Sequence, residues 1–148
     1  MLGVLRREGE AGGRSPQPGA ADVSDLTEQV RSAGLDVEYL VEGAPAPLPH
    51  AVDLAVYRIA QEALTNVLKH AGPAARARVV VGYETDGVRV EVADDGRGAA
   101  ALSSEGGRHG MIGMRERAAF LGGTFRAGPR SGPGWAVVAR FPFDRENP

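Results

Sequence analysis

The sequence has no cysteine and no excess of positive charge. A chain of 148 residues without cysteine has neither disulfides nor thiolate metal sites, which fits a reducing compartment. The formal net charge of -2 argues against an extended nucleic-acid-binding surface. No apolar run approaches the roughly 20 residues of a membrane helix, and the first residues lack the hydrophobic segment of a signal peptide. We therefore expect a cytoplasmic protein.

Two common nucleotide-binding signatures are also missing. No G-x-x-x-x-G-K-[ST] occurs, which excludes a Walker-type P-loop, and no G-x-G-x-x-G follows a first strand, which excludes the dinucleotide fingerprint. A nucleotide bound by this chain must be held in another way.

The composition is that of one folded domain with flexible ends. A hydrophobic content of 43% beside 24% charged residues is enough for a core. Residues 8–20 are rich in glycine, proline and serine, as linkers are, and residues 1–7 carry only a short apolar pattern. We predict a linker at residues 1–20, a domain at residues 21–144 and a tail at residues 145–148.

Hydrophobic periodicity and turn residues predict three helices and five strands. The helices are expected at residues 22–33, 51–71 and 112–121, and the strands at residues 35–41, 77–84, 88–94, 124–127 and 135–141. The pair Asp86-Gly87 is a strong hairpin signal between the second and third strands. Because helices and strands do not alternate as βαβ units, we expect an α/β two-layer sandwich: a mixed, largely antiparallel sheet with helices on one face. Five aromatic residues are assigned to its core: Phe120, Phe125, Trp135, Phe141 and Phe143.

The run D-D-G-R-G at residues 94–98 ends the third strand and is the leading candidate site. Strand side chains alternate between faces, so Asp94 shares the face of Val88, Val90 and Val92, and Asp95 points the other way. A carboxylate on the core face needs a polar partner. The two glycines, Gly96 and Gly98, let another group approach the backbone. Taken alone, the run is also compatible with an acidic surface turn.

The long predicted helix carries a polar face made of Glu62, Asn66, Lys69 and His70. At about 100° per residue these four side chains lie within an arc of roughly 100°. One interpretation is a solvated helix face. The alternative is a phosphate and metal site, because asparagine is a poor helix former whose amide oxygen suits Mg²⁺.

A glycine-rich segment, G-G-R-H-G-M-I-G at residues 106–113, leads from a loop into the last predicted helix. The loop at residues 96–110 has about 15 residues, a length typical of functional lids or disordered segments. Free N–H groups at a helix N-terminus attract phosphate, and glycines let the backbone come near it. A flexible connection is the alternative interpretation of this segment.

Together these three segments resemble the sensor histidine kinases of the NarL-type subfamily. E-A-L-T-N-V-L-K-H at residues 62–70 is similar to the N box of that family, and D-D-G-R-G at residues 94–98 is similar to its G1 box. H-G-M-I-G-M-R-E-R at residues 109–117 is similar to its G2 box. The resemblance covers about residues 22–143.

The resemblance implies the Bergerat fold shared with gyrase, with ATP between the long helix and the lid. It implies that Asp94 accepts a hydrogen bond from the adenine amino group, that Asn66 coordinates Mg²⁺ and that Glu62 acts at the γ-phosphate. Lys69 and His70 would lie near the phosphates or the ribose. The implied ATP-binding residues are Asn66, Lys69, His70, Asp94, Gly96, Gly98, Arg108, His109, Gly110, Met111 and Gly113.

Two departures from the family pattern bear on function. Arg108 stands where a glycine commonly precedes the histidine of the G2 box. The helix that carries the phosphoacceptor histidine has no counterpart, since His50 follows prolines and the other two histidines belong to the boxes. Residues 2–7 resemble the end of the missing dimerisation helix. The expected partners are therefore a dimerisation and phosphoacceptor domain outside this chain and a response regulator, with the chain itself monomeric.

Two other functions fit the same fold. A free-standing anti-sigma-factor serine kinase has a similar length, although the G-M-R-E-R helix argues against it. A degenerate domain that serves only as an interaction module is the non-enzymatic alternative, and Arg108 motivates it.

Overall fold

The computed structural model describes residues 17–96 and 105–144, with side chains in the second stretch from residue 110 onward. These stretches form three α-helices and five β-strands. The helices are α1 (Val23–Ser32), α2 (His50–His70) and α3 (Glu105–Phe120). The strands are β1 (Asp36–Glu42), β2 (Arg76–Glu84), β3 (Gly87–Asp94), β4 (Thr124–Pro129) and β5 (Trp135–Pro142).

The strands form one sheet in the order β1-β2-β3-β5-β4. Only β1 and β2 run parallel, and the other neighbouring pairs are antiparallel. The predicted mixed, largely antiparallel sheet is confirmed. The predicted hairpin forms between β2 and β3, with Thr85 and Asp86 as its two turn residues and Gly87, the first residue of β3, paired with Glu84.

The core lies between one face of the sheet and the helices. Val88, Val90 and Val92 of β3 are fully or almost fully buried on that face. Helix α2 packs on it through Ile59 and Leu64, which are each 0% exposed. The opposite face carries charged pairs, such as Arg78 Nε with Glu38 Oε1 at 3.1 Å. The alternation of apolar and charged residues along the strands therefore sets which face the helices cover.

Helix α2 has the bounds that its sequence pattern predicts to within one residue at each end. It begins at His50, directly after Pro49. The backbone of Pro49 is extended, so the helix does not reach further toward the N-terminus. Gly72, with φ of 98°, turns the chain away just past its end. Among the described residues, no helix is both long enough and apolar enough to cross a membrane.

The N-terminal bound of α3 was predicted wrongly. The helix begins at Glu105 instead of Ile112, so the glycine-rich residues 105–110 are helical and do not belong to a loop ending at Gly110. None of these six residues is apolar, so hydrophobic periodicity gives no signal there. Once a helix is nucleated, each further residue adds a backbone hydrogen bond even where glycine lowers the propensity.

The assignment of Phe120 to the core was also wrong, because its side chain is 88% exposed. Ala118, two positions earlier in α3, is buried, and two residues rotate the helix by about 200°. Phe120 therefore lies on the solvent side. The assignments of Phe125 and Phe141 are confirmed, since both are buried, while Trp135 and Phe143 are partly buried against the core.

Candidate nucleotide site

Asp94 ends β3 on the face of the sheet that the helices cover. The carboxylate is on the same face as Val92, as strand parity predicts, and the residue is only 3% exposed. Its Oδ1 accepts a hydrogen bond of 2.8 Å from the backbone N–H of Gly96. A carboxylate has lone pairs for more than one donor, so a ligand N–H can also bind there.

Burial raises the pKa of the Asp94 carboxyl above its ordinary value. Loss of hydration is the largest cause, and the nearby charge of Asp95 acts in the same direction. The Gly96 N–H and the Arg130 guanidinium oppose this rise by stabilising the ionised form. The polar neighbours of the Asp94 carboxylate therefore offset only part of the cost of its burial.

Asp95 points away from the pocket and is exposed. Its Oδ1 accepts a 2.7 Å hydrogen bond from the Arg76 N–H, and its own N–H donates to the Arg76 carbonyl at 3.1 Å. The two neighbouring carboxylates thus have separate environments. Asp95 holds the end of β3 against the start of β2, and Asp94 lines the pocket.

Gly96 brings the end of β3 against the end of α2. A β-carbon on Gly96 would lie 2.1 Å from the carbonyl oxygen of Ala71, just beyond the last turn of α2. Only glycine allows this close approach. The C-terminal end of α2 is therefore packed against the end of β3 that carries Asp94.

The four polar residues of α2 occupy different environments. Asn66 is 9% exposed and lines the same pocket as Asp94. Glu62 and His70 are half-buried, and Lys69 is exposed. The predicted single polar face thus divides into a buried amide that lines the pocket and three more accessible groups.

Helix α3 closes the pocket from the other side. Met111 is part of the pocket wall. A β-carbon on Gly110 would lie 2.8 Å from Glu62 Oε2, so α3 packs against the polar face of α2 at this glycine. A β-carbon on Gly113 would meet nothing within 4 Å, so packing does not require glycine there.

The structure gives no side-chain position for three of the predicted ATP-binding residues. Gly98 lies outside the described residues. The backbone of Arg108 and His109 is within α3. Their contacts to a nucleotide stay predictions.

The pocket between α2, α3 and the sheet has an apolar wall with a few polar groups. Its lining residues are Ala63, Asn66, Val67, Val92, Asp94, Met111, Trp135 and Val137. The lining residues, although not the free volume between them, complement a flat, mostly apolar ring that carries a hydrogen-bond donor for Asp94.

Sequence reasoning missed Trp135 as a pocket residue and assigned it to the core. It pairs directly with Asp94 across β3 and β5. This neighbour relationship depends on β5 lying beside β3 in the sheet, which no local pattern reveals. The turn before Trp135 also braces the Asp94 backbone: Arg130 Nη1 donates to the Asp94 carbonyl at 2.9 Å.

The described residues contain no group of three or more His, Cys, Asp or Glu side chains arranged to hold a metal. Asn66 and Glu62 supply a small number of oxygen donors on one helix face. That donor set fits Mg²⁺, which is usually bound by one or two protein ligands together with phosphates and water.

Comparison with known proteins identifies the class. Residues 51–145 match the family of histidine kinase-, DNA gyrase B- and HSP90-like ATPases, and the chain belongs to this family. The sensor histidine kinase LnrJ of Bacillus subtilis (strain 168) is 35% identical over 122 residues, which cover 80% of this chain and 29% of LnrJ. The nitrate/nitrite sensor protein NarX of Escherichia coli (strain K12) is 32% identical over 127 residues, covering 84% of this chain and 21% of NarX. The resemblance to NarL-type sensor kinases is thereby confirmed.

Solved structures confirm the fold. The mycobacterial sensor histidine kinase MprB superposes with a TM-score of 0.61 at 16% identity, over 83% of this chain and 94% of that one. The catalytic domain of histidine kinase ThkA gives a TM-score of 0.59 at 15% identity, over 83% and 88% of the two chains. The chain is a histidine-kinase-type ATP-binding catalytic domain. It spans between about a fifth and a third of the length of the curated relatives that it matches.

Proposed function

We propose that the domain binds Mg-ATP in the pocket between α2 and α3 and transfers the γ-phosphoryl group to a histidine of a dimerisation domain outside this chain. The observation that carries this proposal is the buried Asp94 carboxylate at the wall of an otherwise apolar pocket. An ionised acceptor in that position favours a ring with an exocyclic amino group, as adenine has. A 6-oxo purine would instead present an acceptor to it.

Asn66 and Glu62 are the proposed groups for the phosphate end. The buried Asn66 amide oxygen would hold Mg²⁺, which neutralises phosphate charge when bound. Glu62, held against Gly110, would orient or polarise the groups at the γ-phosphate. In phosphoryl transfer, positioning and charge neutralisation supply most of the catalysis.

The remaining proposed contacts surround this centre. Lys69 and His70 follow Asn66 at the end of α2, where their side chains are accessible to phosphate or ribose oxygens. Arg108 and His109 are proposed to contact phosphate from α3. Gly96, Gly98, Gly110 and Gly113 are proposed to shape the pocket and its closure, with Met111 against the base.

The partners and location follow from this role. A sensor kinase passes its phosphoryl group to a response regulator, so we propose such a protein as the downstream partner of the full-length kinase. A supply of ATP and the absence of cysteine both fit the cytoplasm. Alone, the domain is proposed to be monomeric.

Thermal unfolding with and without Mg-ATP tests nucleotide binding. A ligand at about 100 times its dissociation constant stabilises a fold by roughly 2.7 kcal/mol. No stabilisation at millimolar nucleotide would favour a degenerate interaction module.

Radiolabelled ATP then tests the chemistry: we expect label on a histidine of a separately supplied dimerisation domain and none on this chain. Label on this chain itself would contradict the proposed division of roles, and transfer to a serine of an antagonist protein would favour a serine kinase.

A further inference from the structure

Trp135 is the only tryptophan of the chain and the first residue of β5. It is the direct cross-strand partner of Asp94 in the β3–β5 pairing. Directly paired residues on antiparallel strands project from the same face, with β-carbons about 4.5–5.5 Å apart. The indole and the Asp94 carboxylate therefore line the pocket side by side.

The indole Nε1–H of Trp135 is buried and has no hydrogen-bond partner among the described residues. A buried donor without an acceptor destabilises a fold, because it has lost its hydrogen bonds to water and gained none in return. Only one other buried side-chain atom in the described stretches shares this condition, Gln29 Oε1 on α1, which is not among the residues lining the pocket. The unsatisfied donor thus belongs to a residue that lines this pocket.

An unpartnered donor beside an acceptor complements one edge of adenine. The exocyclic amino group is a donor, and the ring nitrogens that flank it, N1 and N7, are acceptors with no hydrogen. Asp94 can accept from the amino group while the neighbouring N–H donates to a ring nitrogen. Guanine presents an acceptor where adenine presents the amino group.

We propose that Trp135 is a base-recognition residue whose indole N–H donates to a ring nitrogen next to the adenine amino group. This proposal rests on the proposed function, because it requires adenine in the pocket with its amino group on Asp94. It assigns to the indole a specificity role that goes beyond packing. The ligand supplies the acceptor that the protein itself does not.

Trp135→Phe is the variant, because it keeps one aromatic ring against the core and removes the N–H donor together with the second ring of the indole. Affinities for ATP, 1-deaza-ATP and 7-deaza-ATP are measured by calorimetry with wild type and variant, since the variant has no tryptophan to report by fluorescence. In wild type we expect one of the two deaza analogues to bind about tenfold more weakly than ATP, as loss of one hydrogen bond implies. The variant should bind ATP about tenfold more weakly than wild type and should not distinguish ATP from that analogue.

Two results would overturn the proposal. One is equal affinity of wild type for ATP and both deaza analogues, a measurement that stands even where the variant does not fold. The other is a deaza penalty of the same size in wild type and variant, which would assign the lost hydrogen bond to another group. Failure of wild type to bind ATP at all would instead remove the proposed function and this inference together, so the two failures are distinguishable.

Discussion

Gly110 of α3 lies so close to Glu62 of α2 that a β-carbon on the glycine would be 2.8 Å from Glu62 Oε2. The contact joins the two helices at the side of the pocket where phosphates are proposed to bind. The nearest atom is the far end of a flexible side chain, so a larger residue would displace the carboxylate before it displaced a helix. Catalysis and stability are therefore separable at this position.

Gly110→Ala is expected to slow phosphoryl transfer while leaving the fold intact. Displacing the Glu62 carboxylate by about an ångström should lower the transfer rate by about tenfold to a hundredfold. The transfer rate should fall more than the ATP affinity, because the added β-carbon meets the Glu62 carboxylate and not the wall that binds the base. The measurement is the transfer rate to the acceptor histidine at saturating ATP, in a protein that contains both domains.

Gly113→Ala is the stability comparison for that variant. A β-carbon there meets nothing within 4 Å, so the substitution changes helix propensity without moving Glu62. Alanine in a helix interior is more stable than glycine by roughly 0.5–1 kcal/mol, and we expect a gain of that size in the free energy of unfolding. An unchanged transfer rate in Gly110→Ala would contradict a role for the Glu62 position.

Gly134 and Gly132 form a second matched pair, in the turn before β5. Gly134 has φ of 119°, and a β-carbon on it would lie 1.9 Å from the Asp94 carbonyl oxygen. Gly132 has φ of 95° with open space around it. Gly134→Ala should lower the free energy of unfolding by about 3 kcal/mol or more, since it adds a backbone clash to the strain of a positive φ.

Gly132→Ala should cost only about 1–2 kcal/mol, the strain of the left-handed conformation alone. Urea unfolding of both variants gives the comparison. Equal losses would show that the turn relaxes away from Asp94 without penalty and would contradict the close packing of Gly134 on the Asp94 carbonyl.

The parts of the site that follow from local periodicity were predictable. Alternation along β3 assigns Asp94 to the buried face and Asp95 to the exposed one, because the strand period is two whatever the rest of the fold does. The bounds of α2 follow equally well from its apolar stripe and from the proline and glycine at its ends. Both are properties of a single segment.

The parts that depend on packing between segments were not predictable. Trp135 becomes a pocket residue only because β5 pairs with β3 and not merely with its hairpin neighbour β4. The extension of α3 to Glu105 adds only one apolar residue, Met111, which is too few to make a periodic hydrophobic pattern. The Gly110 contact with Glu62 likewise needs the relative position of two helices.

Asn66→Ala should weaken only the magnesium-dependent part of nucleotide binding. The Asn66 side chain is buried in the pocket wall, and alanine is a better helix former than asparagine, so α2 is expected to persist. We expect ATP affinity to fall about tenfold with Mg²⁺ present and to stay unchanged in excess chelator. Titration calorimetry in both conditions measures the difference.

Thr65→Ala is the control for that substitution. Thr65 precedes Asn66, and its hydroxyl donates to the Gln61 carbonyl within α2 at 2.8 Å, outside the pocket lining. Its affinity for Mg-ATP should match wild type. An equal loss for Asn66→Ala with and without Mg²⁺ would assign the amide to the base or ribose instead of the metal.

Asp94→Asn should stabilise the nucleotide-free domain and weaken nucleotide binding. Burial raises the pKa of Asp94 above its ordinary value of 3.8, so the native state binds more protons than the unfolded state between those two values. The free energy of unfolding therefore falls as pH rises through that window and stays lower above it. The neutral amide keeps an oxygen for the Gly96 N–H and removes this cost.

Near neutral pH the Asp94→Asn variant should be more stable than wild type by about 0.5–2 kcal/mol, and the difference should vanish below the window. Urea unfolding from acidic to neutral pH measures this difference in stability.

ATP affinity of Asp94→Asn should fall with or without Mg²⁺, because the amide lacks the charge and one of the two acceptor oxygens. Asp95→Asn, whose carboxylate lies outside the pocket, should leave ATP affinity unchanged. If Asp94→Asn is less stable than wild type at neutral pH, the ionised carboxylate stabilises the native state. That result would contradict the view that its burial is unfavourable until a ligand binds.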